Sequence, residues 1–336
     1  MQQASVELDR RPVQLEKDIW VVQVLSILFS SSFAENLVFK GGTSLSKVYK
    51  VIKRFSEDVD VTVDINKLIP DRTVDSEFPP SKSQAGKWKQ RIEKIEQPNF
   101  IKDEMIPQLG SNLPAGVEFT LDEKDPATFY VDYSALSVVS EARTVGSRSY
   151  IDTRVKIELG GASTGKPNHR AEIECDVSYL AQVGGIELPR ANVRVMDIQR
   201  TFWEKATLAH IASVRGQNKW AGYARHWHDL AKIFESTYWK QCLADQETAN
   251  LVAKVKQHFY NYTLDGDEIS YADAVNGNIQ IVPAGESLVS LERDYGEMLG
   301  ARMVEQNPDS FEDLIAKCHK IEKAINSRDL DSNQTE

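Results

Sequence analysis

Apolar positions along the first third of the chain change period twice. A helix is predicted over about residues 13–33. Its longest apolar stretch, Ile19 to Phe29, is interrupted by Gln23 and Ser26 and reads as a buried amphipathic helix. Leu37-Val38-Phe39 then forms a short apolar run of strand type, stopped by Gly41-Gly42, a pair that permits tight turning and close ligand approach. Leu45, Val48, Tyr49 and Ile52 fall at spacings of three and four, which predicts a helix from about Thr43 to Ile52. A turn over residues 53–57 returns the chain as a strand, Val59 to Ile65.

Beyond residue 65 the pattern loosens and then divides. Residues 66–85 are polar and contain Pro70, Pro79 and Pro80, as expected of a loop, and a helix follows over about 86–109, interrupted near Pro98. Alternating segments at 116–121, 128–133, 153–159, 171–177 and 192–195 predict strands, with a Gly-rich turn at 160–167. From Asp197 onward the period is helical: 198–214, 224–234, 246–258, 286–299 and 310–325. The expected class is α+β. Residues 1–196 would form a mixed-sheet α/β domain, 197–326 a helical domain completing the active site, and 327–336 a polar tail.

Candidate chemistry sits where the first periods change. Residues i and i+2 of a strand share a face, so Asp58 and Asp60 would present two carboxylates side by side. Such a pair repels itself unless a cation lies between, and hard oxygen donors suit Mg²⁺ or Mn²⁺. Upstream, Gly41, Gly42, Thr43 and Ser44 stand where a helix would begin, with free N–H groups and hydroxyls able to receive phosphate. A phosphate cradle beside a carboxylate metal site points to nucleotidyl transfer.

A second constellation opens the helical part. Lys205 lies in an otherwise apolar stretch with Phe202, Ala206, Leu208 and Ala209, where a lysine must snorkel or meet an anion. A triphosphate would supply that anion, and Asp229, between Trp227 and Leu230, could pair with Lys205 instead. His226 and His228 flank Trp227 but lack the further ligands a zinc site needs.

Composition narrows the partners. The 336 residues carry 40 Lys and Arg against 50 Asp and Glu, a net charge of −10 that argues against a general nucleic-acid binder. Lys82, Lys87, Lys89, Arg91 and Lys94 cluster around Trp88, as either an RNA contact or a solvated face partnered by Glu93 and Glu96. Cys175, Cys242 and Cys318 are far apart and odd in number, which fits a reducing compartment and buried structural thiols. No signal peptide or membrane span is visible, so a cytoplasmic protein is expected.

Four strings carry a family resemblance: residues 39–45 (Phe-Lys-Gly-Gly-Thr-Ser-Leu), 54–60 (Arg-Phe-Ser-Glu-Asp-Val-Asp), 203–205 (Trp-Glu-Lys) and 225–230 (Arg-His-Trp-His-Asp-Leu). In this order they resemble the AbiEii/AbiGii toxins, nucleotidyltransferases of the DNA polymerase β-like superfamily found in type IV toxin–antitoxin and phage abortive-infection loci. The resemblance implies a nucleotide and magnesium site built from Gly41, Gly42, Thr43 or Ser44, Asp58 and Asp60, completed by Lys205 and Asp229. It also implies a third carboxylate on a neighbouring strand, for which Glu158 is preferred and Glu174 also fits. An NTP substrate, an RNA acceptor with the tRNA 3′ end foremost, and a separately encoded antitoxin that often acts without direct contact follow from the same resemblance. A protein or small-molecule acceptor, or a catalytically silent nucleotide-binding module, are the alternatives.

Overall fold

The protein is described from a computed structural model covering residues 2–8, 10–56, 58–71, 78–134, 154–216, 222–301 and 307–327. It divides into two compact units. The first comprises residues 1–48, 55–77 and 86–196, and the second 49–54, 78–85 and 197–336. Glu57 and residues 328–336, which hold nearly all of the expected tail, lie outside the described residues.

The first unit is organised by a seven-stranded mixed sheet. Its strands are β1 (Leu37–Lys40), β2 (Val59–Val63), β3 (Glu118–Leu121), β4 (Thr128–Asp132), β5 (Arg154–Gly160), β6 (Asn168–Glu174) and β7 (Arg190–Met196), in the order β3-β4-β5-β2-β1-β7-β6. Two junctions, β2 with β5 and β1 with β7, are parallel, and the others are antiparallel. Strand alternation sorts the side chains. Val59, Val61 and Val63 of β2 and Val155, Ile157 and Leu159 of β5 are buried, while Asp60, Lys156 and Glu158 take the intervening positions.

Helix α1 (Gln2–Leu8) packs on α2 (Pro12–Phe29), which in turn covers β7 and β5. The expected amphipathic character of α2 is not observed. Val13, Leu15, Val22, Leu25 and Leu28 are buried, and so are Glu16, Lys17 and Asp18, because α2 is enclosed on nearly every face. Residues 82–110 are helical throughout, with π turns at Ile92–Glu96 and Ile101–Met105 on either side of Pro98, where an interruption was expected.

Helix α3 (Gly41–Lys47) begins two residues earlier than the periodicity predicts and ends five residues sooner. Tyr49 and Ile52 are buried outside any helix, in the part of the chain that belongs to the second unit, so their spacing reflects burial rather than a helical face. The end of α3 is pinned by charge. The Lys47 ammonium donates to Asp176 Oδ1 at 2.7 Å and pairs with Asp18, while Asp18 Oδ2 accepts from the Asp176 backbone N–H at 2.7 Å. Arg10 adds a further pair to Asp176.

The second unit is helical, built from α4 (Ile198–Val214), α5 (Ala224–Glu235), α6 (Gln246–Phe259), α7 (Glu286–Gly300) and α8 (Phe311–Asn326). Helix α4 packs on α5 and α6, and α5 packs on α7 and α8. Trp203 and Trp227 are fully buried, and each satisfies its indole N–H on a backbone carbonyl, Cys242 at 3.1 Å and Ile281 at 2.9 Å. Asp245 and Ser310 cap α6 and α8 by accepting from the N–H groups of Thr248 and Asp313. The three cysteines are free and buried, and burial pushes each thiol up to about 12.

Replacing Lys47 by Met strips Asp18 of its buried cation and leaves Asp176 with Arg10 alone. The expected cost is about 3–5 kcal/mol, read as a lower urea midpoint. A midpoint unchanged in the variant would refute the anchoring role of Lys47.

Candidate active site

The residues expected to carry chemistry fall into two groups, one in each unit. In the first unit the β1–α3 turn and β2 lie against each other. Gly41 has φ +76°, and a Cβ placed there would come within 1.9 Å of Asp60 Oδ2. Only glycine both adopts this backbone and admits the carboxylate so close. Asp60 pairs across β1 with Lys40 and across β5 with Glu158, which brings two acids to one face of adjacent parallel strands. Asp58 lies one residue before β2 and so is not a strand residue, although it keeps the alternation of Asp60.

The hydroxyls of Thr43 and Ser44 have partners within the protein. Both residues are buried. The Thr43 hydroxyl lies 2.5 Å from the backbone carbonyl of Asp58 and 2.9 Å from Ser56 Oγ, and Ser44 Oγ donates to the Gly41 carbonyl at 2.9 Å. The Thr43 hydroxyl therefore ties the glycine turn to the carboxylate segment, while Ser44 closes a bond within the turn itself. With only seven residues, α3 also supplies a shorter array of aligned peptide dipoles than the expected helix.

Glu158 and Glu174, left open by the sequence, occupy unlike places. Glu158 is beside Asp60, whereas Glu174 is on edge strand β6, three positions from β2, and pairs with Arg190 at 3.4 Å. Lys156, two residues before Glu158 on the same face, forms an ion pair with it. Burial opposes the charge on Lys156, but Glu158 and then Asp58 raise its pKa above the ordinary lysine value, so this ammonium lies in the field of both acids.

In the second unit Lys205 of α4 and Asp229 of α5 meet, with Lys205 Nζ 2.9 Å from Asp229 Oδ2. Arg54, unassigned by sequence reasoning, grips the same carboxylate by a fork: Nε donates to Oδ1 at 2.7 Å and Nη2 to Oδ2 at 2.9 Å. His228 Nδ1 lies 3.3 Å from Oδ1, and His226 Nδ1 lies 3.4 Å from Lys205 Nζ. Burial opposes ionisation of Asp229, yet Arg54 and then Lys205 hold its carboxyl well below the usual range. Burial, reinforced by the charges of Lys205 and Arg225, pushes His226 well below its ordinary value and keeps it neutral. A neutral imidazole can accept from the lysine through Nδ1. The available signal for Arg54 was an arginine placed between apolar Ile52 and Phe55, both buried, just before the aspartates.

The basic cluster around Trp88 is largely ion-paired. Lys89 faces Glu93 at 3.9 Å, Arg91 meets Glu96 at 2.7 Å and Asp71 at 2.8 Å, and Lys82 pairs with Glu268.

Comparison with known proteins decides the class. The family model described as nucleotidyl transferase AbiEii toxin, type IV toxin–antitoxin system, matches residues 23–317. The chain belongs to the AbiEii toxin family. It is therefore a nucleotidyltransferase toxin, with a nucleotide substrate and an antitoxin partner. Among solved structures it is similar to MenT4, a nucleotidyltransferase toxin from Mycobacterium tuberculosis H37Rv, at 16% identity over 96% of this chain and 97% of that one, with a TM-score of 0.41. No curated protein matches.

Nucleotidyltransferases of this kind act on an NTP with a divalent cation, and the donor set of this AbiEii protein fits one. Among the described residues no three His, Cys, Asp or Glu side chains already form a metal-holding group. Magnesium is usually held by one or two carboxylates together with substrate phosphates rather than by an all-protein cage. Asp60 with its glycine-lined flank and neighbouring Glu158 offers such a partial shell. Among the described residues no helix is long and apolar enough to cross a membrane.

Two outcomes follow. Replacing Gly41 by Ala displaces Asp60, and a misplacement of about 1 Å lowers turnover by about 10²-fold. Pyrophosphate release measures this, and wild-type turnover in the variant would refute the packing argument. Because folding lowers the pKa of His226 below its ordinary 6.5, the unfolded chain binds more protons there and stability falls as pH drops through and below 6.5. His226→Asn should flatten the dependence of melting temperature on pH in that window, and an unchanged slope would count against it.

Proposed function

We propose that the protein moves a nucleoside monophosphate from an NTP to a hydroxyl of RNA, with the tRNA 3′ end as acceptor, and thereby arrests growth in the cytoplasm, as a phage-defence device. The observation that carries this reading is the close approach of the Gly41 backbone to Asp60, with Glu158 in register beside it. A turn able to approach phosphate and a carboxylate pair able to hold a cation thus share one place on the sheet.

In the proposed reaction the acceptor oxygen forms a bond to the α-phosphorus, the bond from that phosphorus to the α,β-bridging oxygen breaks, and pyrophosphate leaves. The hydroxyl proton passes to solvent. Asp58, Asp60 and Glu158 would hold Mg²⁺ or Mn²⁺, which when bound supplies charge neutralisation at the transferring phosphate. The backbone at Gly41 and Gly42 contacts the phosphates, with Thr43 and Ser44 fixing the turn's shape. Lys205 contributes positive charge where the leaving pyrophosphate develops negative charge, and Asp229 orients Lys205. The antitoxin is separately encoded.

The net charge of −10 and the ion-paired helix around Trp88 favour a second reading, with the same chemistry directed at a protein or small-molecule acceptor. One experiment separates the two. The purified protein is incubated with Mg²⁺, each α-labelled NTP and bacterial tRNA, and label is followed on RNA. Labelled tRNA that disappears in Asp60→Asn, a variant expected to stay folded, supports the first reading. Label that appears only on protein or metabolite fractions of a cell extract supports the second. Wild-type activity in Asp60→Asn would remove the carboxylate mechanism altogether.

A further inference from the structure

Two positive charges converge on one buried carboxylate in the second unit. Arg54 and Lys205 both contact Asp229, whose side chain is 0% exposed. His228 adds a contact on Oδ1. The arginine alone satisfies both oxygens through its fork. Asp229 thus keeps a donor on each oxygen whether or not Lys205 is present, and the lysine is the dispensable partner.

The two cations also differ in what they can do. Guanidinium is a rigid fork suited to a fixed bidentate pair, while ammonium is a point charge on a flexible stem. Lys205 keeps a side-chain exposure of 9%, against 3% for Arg54. Asp229 and His226 take up two of the three N–H donors of Lys205, and among the described residues no further partner is recorded for it. An anion that draws the ammonium away leaves behind a carboxylate still paired with Arg54 rather than a bare buried charge, which would be strongly unfavourable.

We propose that Arg54 is a positioning residue that makes Lys205 an exchangeable partner of Asp229, freeing the lysine ammonium to engage the triphosphate of the incoming nucleotide. The inference rests on the reading of the protein as an NTP-dependent transferase with Lys205 on the phosphates. Without Arg54, Lys205 would be the one full charge left for Asp229 among the described residues, and the lysine would be held there. His226, as a neutral acceptor, steadies the ammonium without competing for the phosphate's role as its counter-charge.

The test measures affinity for the α,β-methylene analogues of the four NTPs by calorimetry, and KM and kcat for the preferred NTP, in wild type, R54M, R54K and R54M/D229N. Melting curves accompany each. R54M is expected to weaken analogue binding about tenfold or more and to raise KM more than it lowers kcat. R54K, which keeps the charge but loses the fork, should fall between R54M and wild type. The decisive variant is R54M/D229N: removing the carboxylate's charge releases Lys205, so binding should recover most of what R54M lost. A merely structural arginine would give a double variant no better than R54M. Should R54M fail to fold, R54K and the double variant carry the same comparison against wild type. Wild-type binding in R54K and R54M, or no recovery in the double variant, overturns the assignment alone. A wild-type protein that binds none of the four analogues overturns the transferase reading and the assignment with it.

Discussion

The register of β2 between β1 and β5 is the constraint on which the first unit's chemistry depends. Side chains alternate across a strand, so a slip of one residue would turn Asp60 into the apolar layer and Val59 and Val61 out of it. Burial of Val59, Val61, Val63, Ile157 and Leu159 fixes that register through the hydrophobic effect. The carboxylates occupy the opposite parity and are placed by the residues that do no chemistry. The glycine turn is held to this frame by the Thr43 hydroxyl on the Asp58 carbonyl, and α3 by the Lys47 pairs with Asp18 and Asp176.

Charge in the second unit obeys a different logic. A carboxylate with no solvent contact is stable only when its partners are complete, and Asp229 has Arg54 on both oxygens, Lys205 on one and His228 on the other. The surrounding helices provide apolar burial, seen in Trp203, Trp227 and Leu230, that strengthens these interactions. Lys205 therefore meets its anion as the sequence requires of a lysine in an apolar stretch, and that anion is the carboxylate of Asp229.

The two groups show how much of the site was legible. Asp58, Asp60 and the glycine pair stand out because rare residue types recur at short spacing where a strand meets a turn. Lys205 and Asp229 stand out because each charge interrupts an apolar run. Arg54 gave a weaker signal, since burial of an arginine in a short connecting segment has no periodicity to reveal it. Thr43 and Ser44 were visible as hydroxyls, but a hydroxyl's partner is chosen by geometry: those of Thr43 lie 13 and 15 residues away in the chain, and that of Ser44 is Gly41, in the turn itself.

The sequence by itself determined the α+β class, most of the strands and long helices, and the family, because all of these follow from local period and short motifs. Tertiary structure alone decided which acid stands beside Asp60, since Glu158 and Glu174 have the same apolar–acid–apolar neighbourhood and differ only in which strand their own strand pairs with. It also decided that α3 stops at Lys47, where ion pairs with Asp18 and Asp176 anchor its last turn, and that Arg54 shares Asp229 with Lys205. Each of these depends on residues distant in sequence meeting at one point, and no local pattern encodes such a meeting.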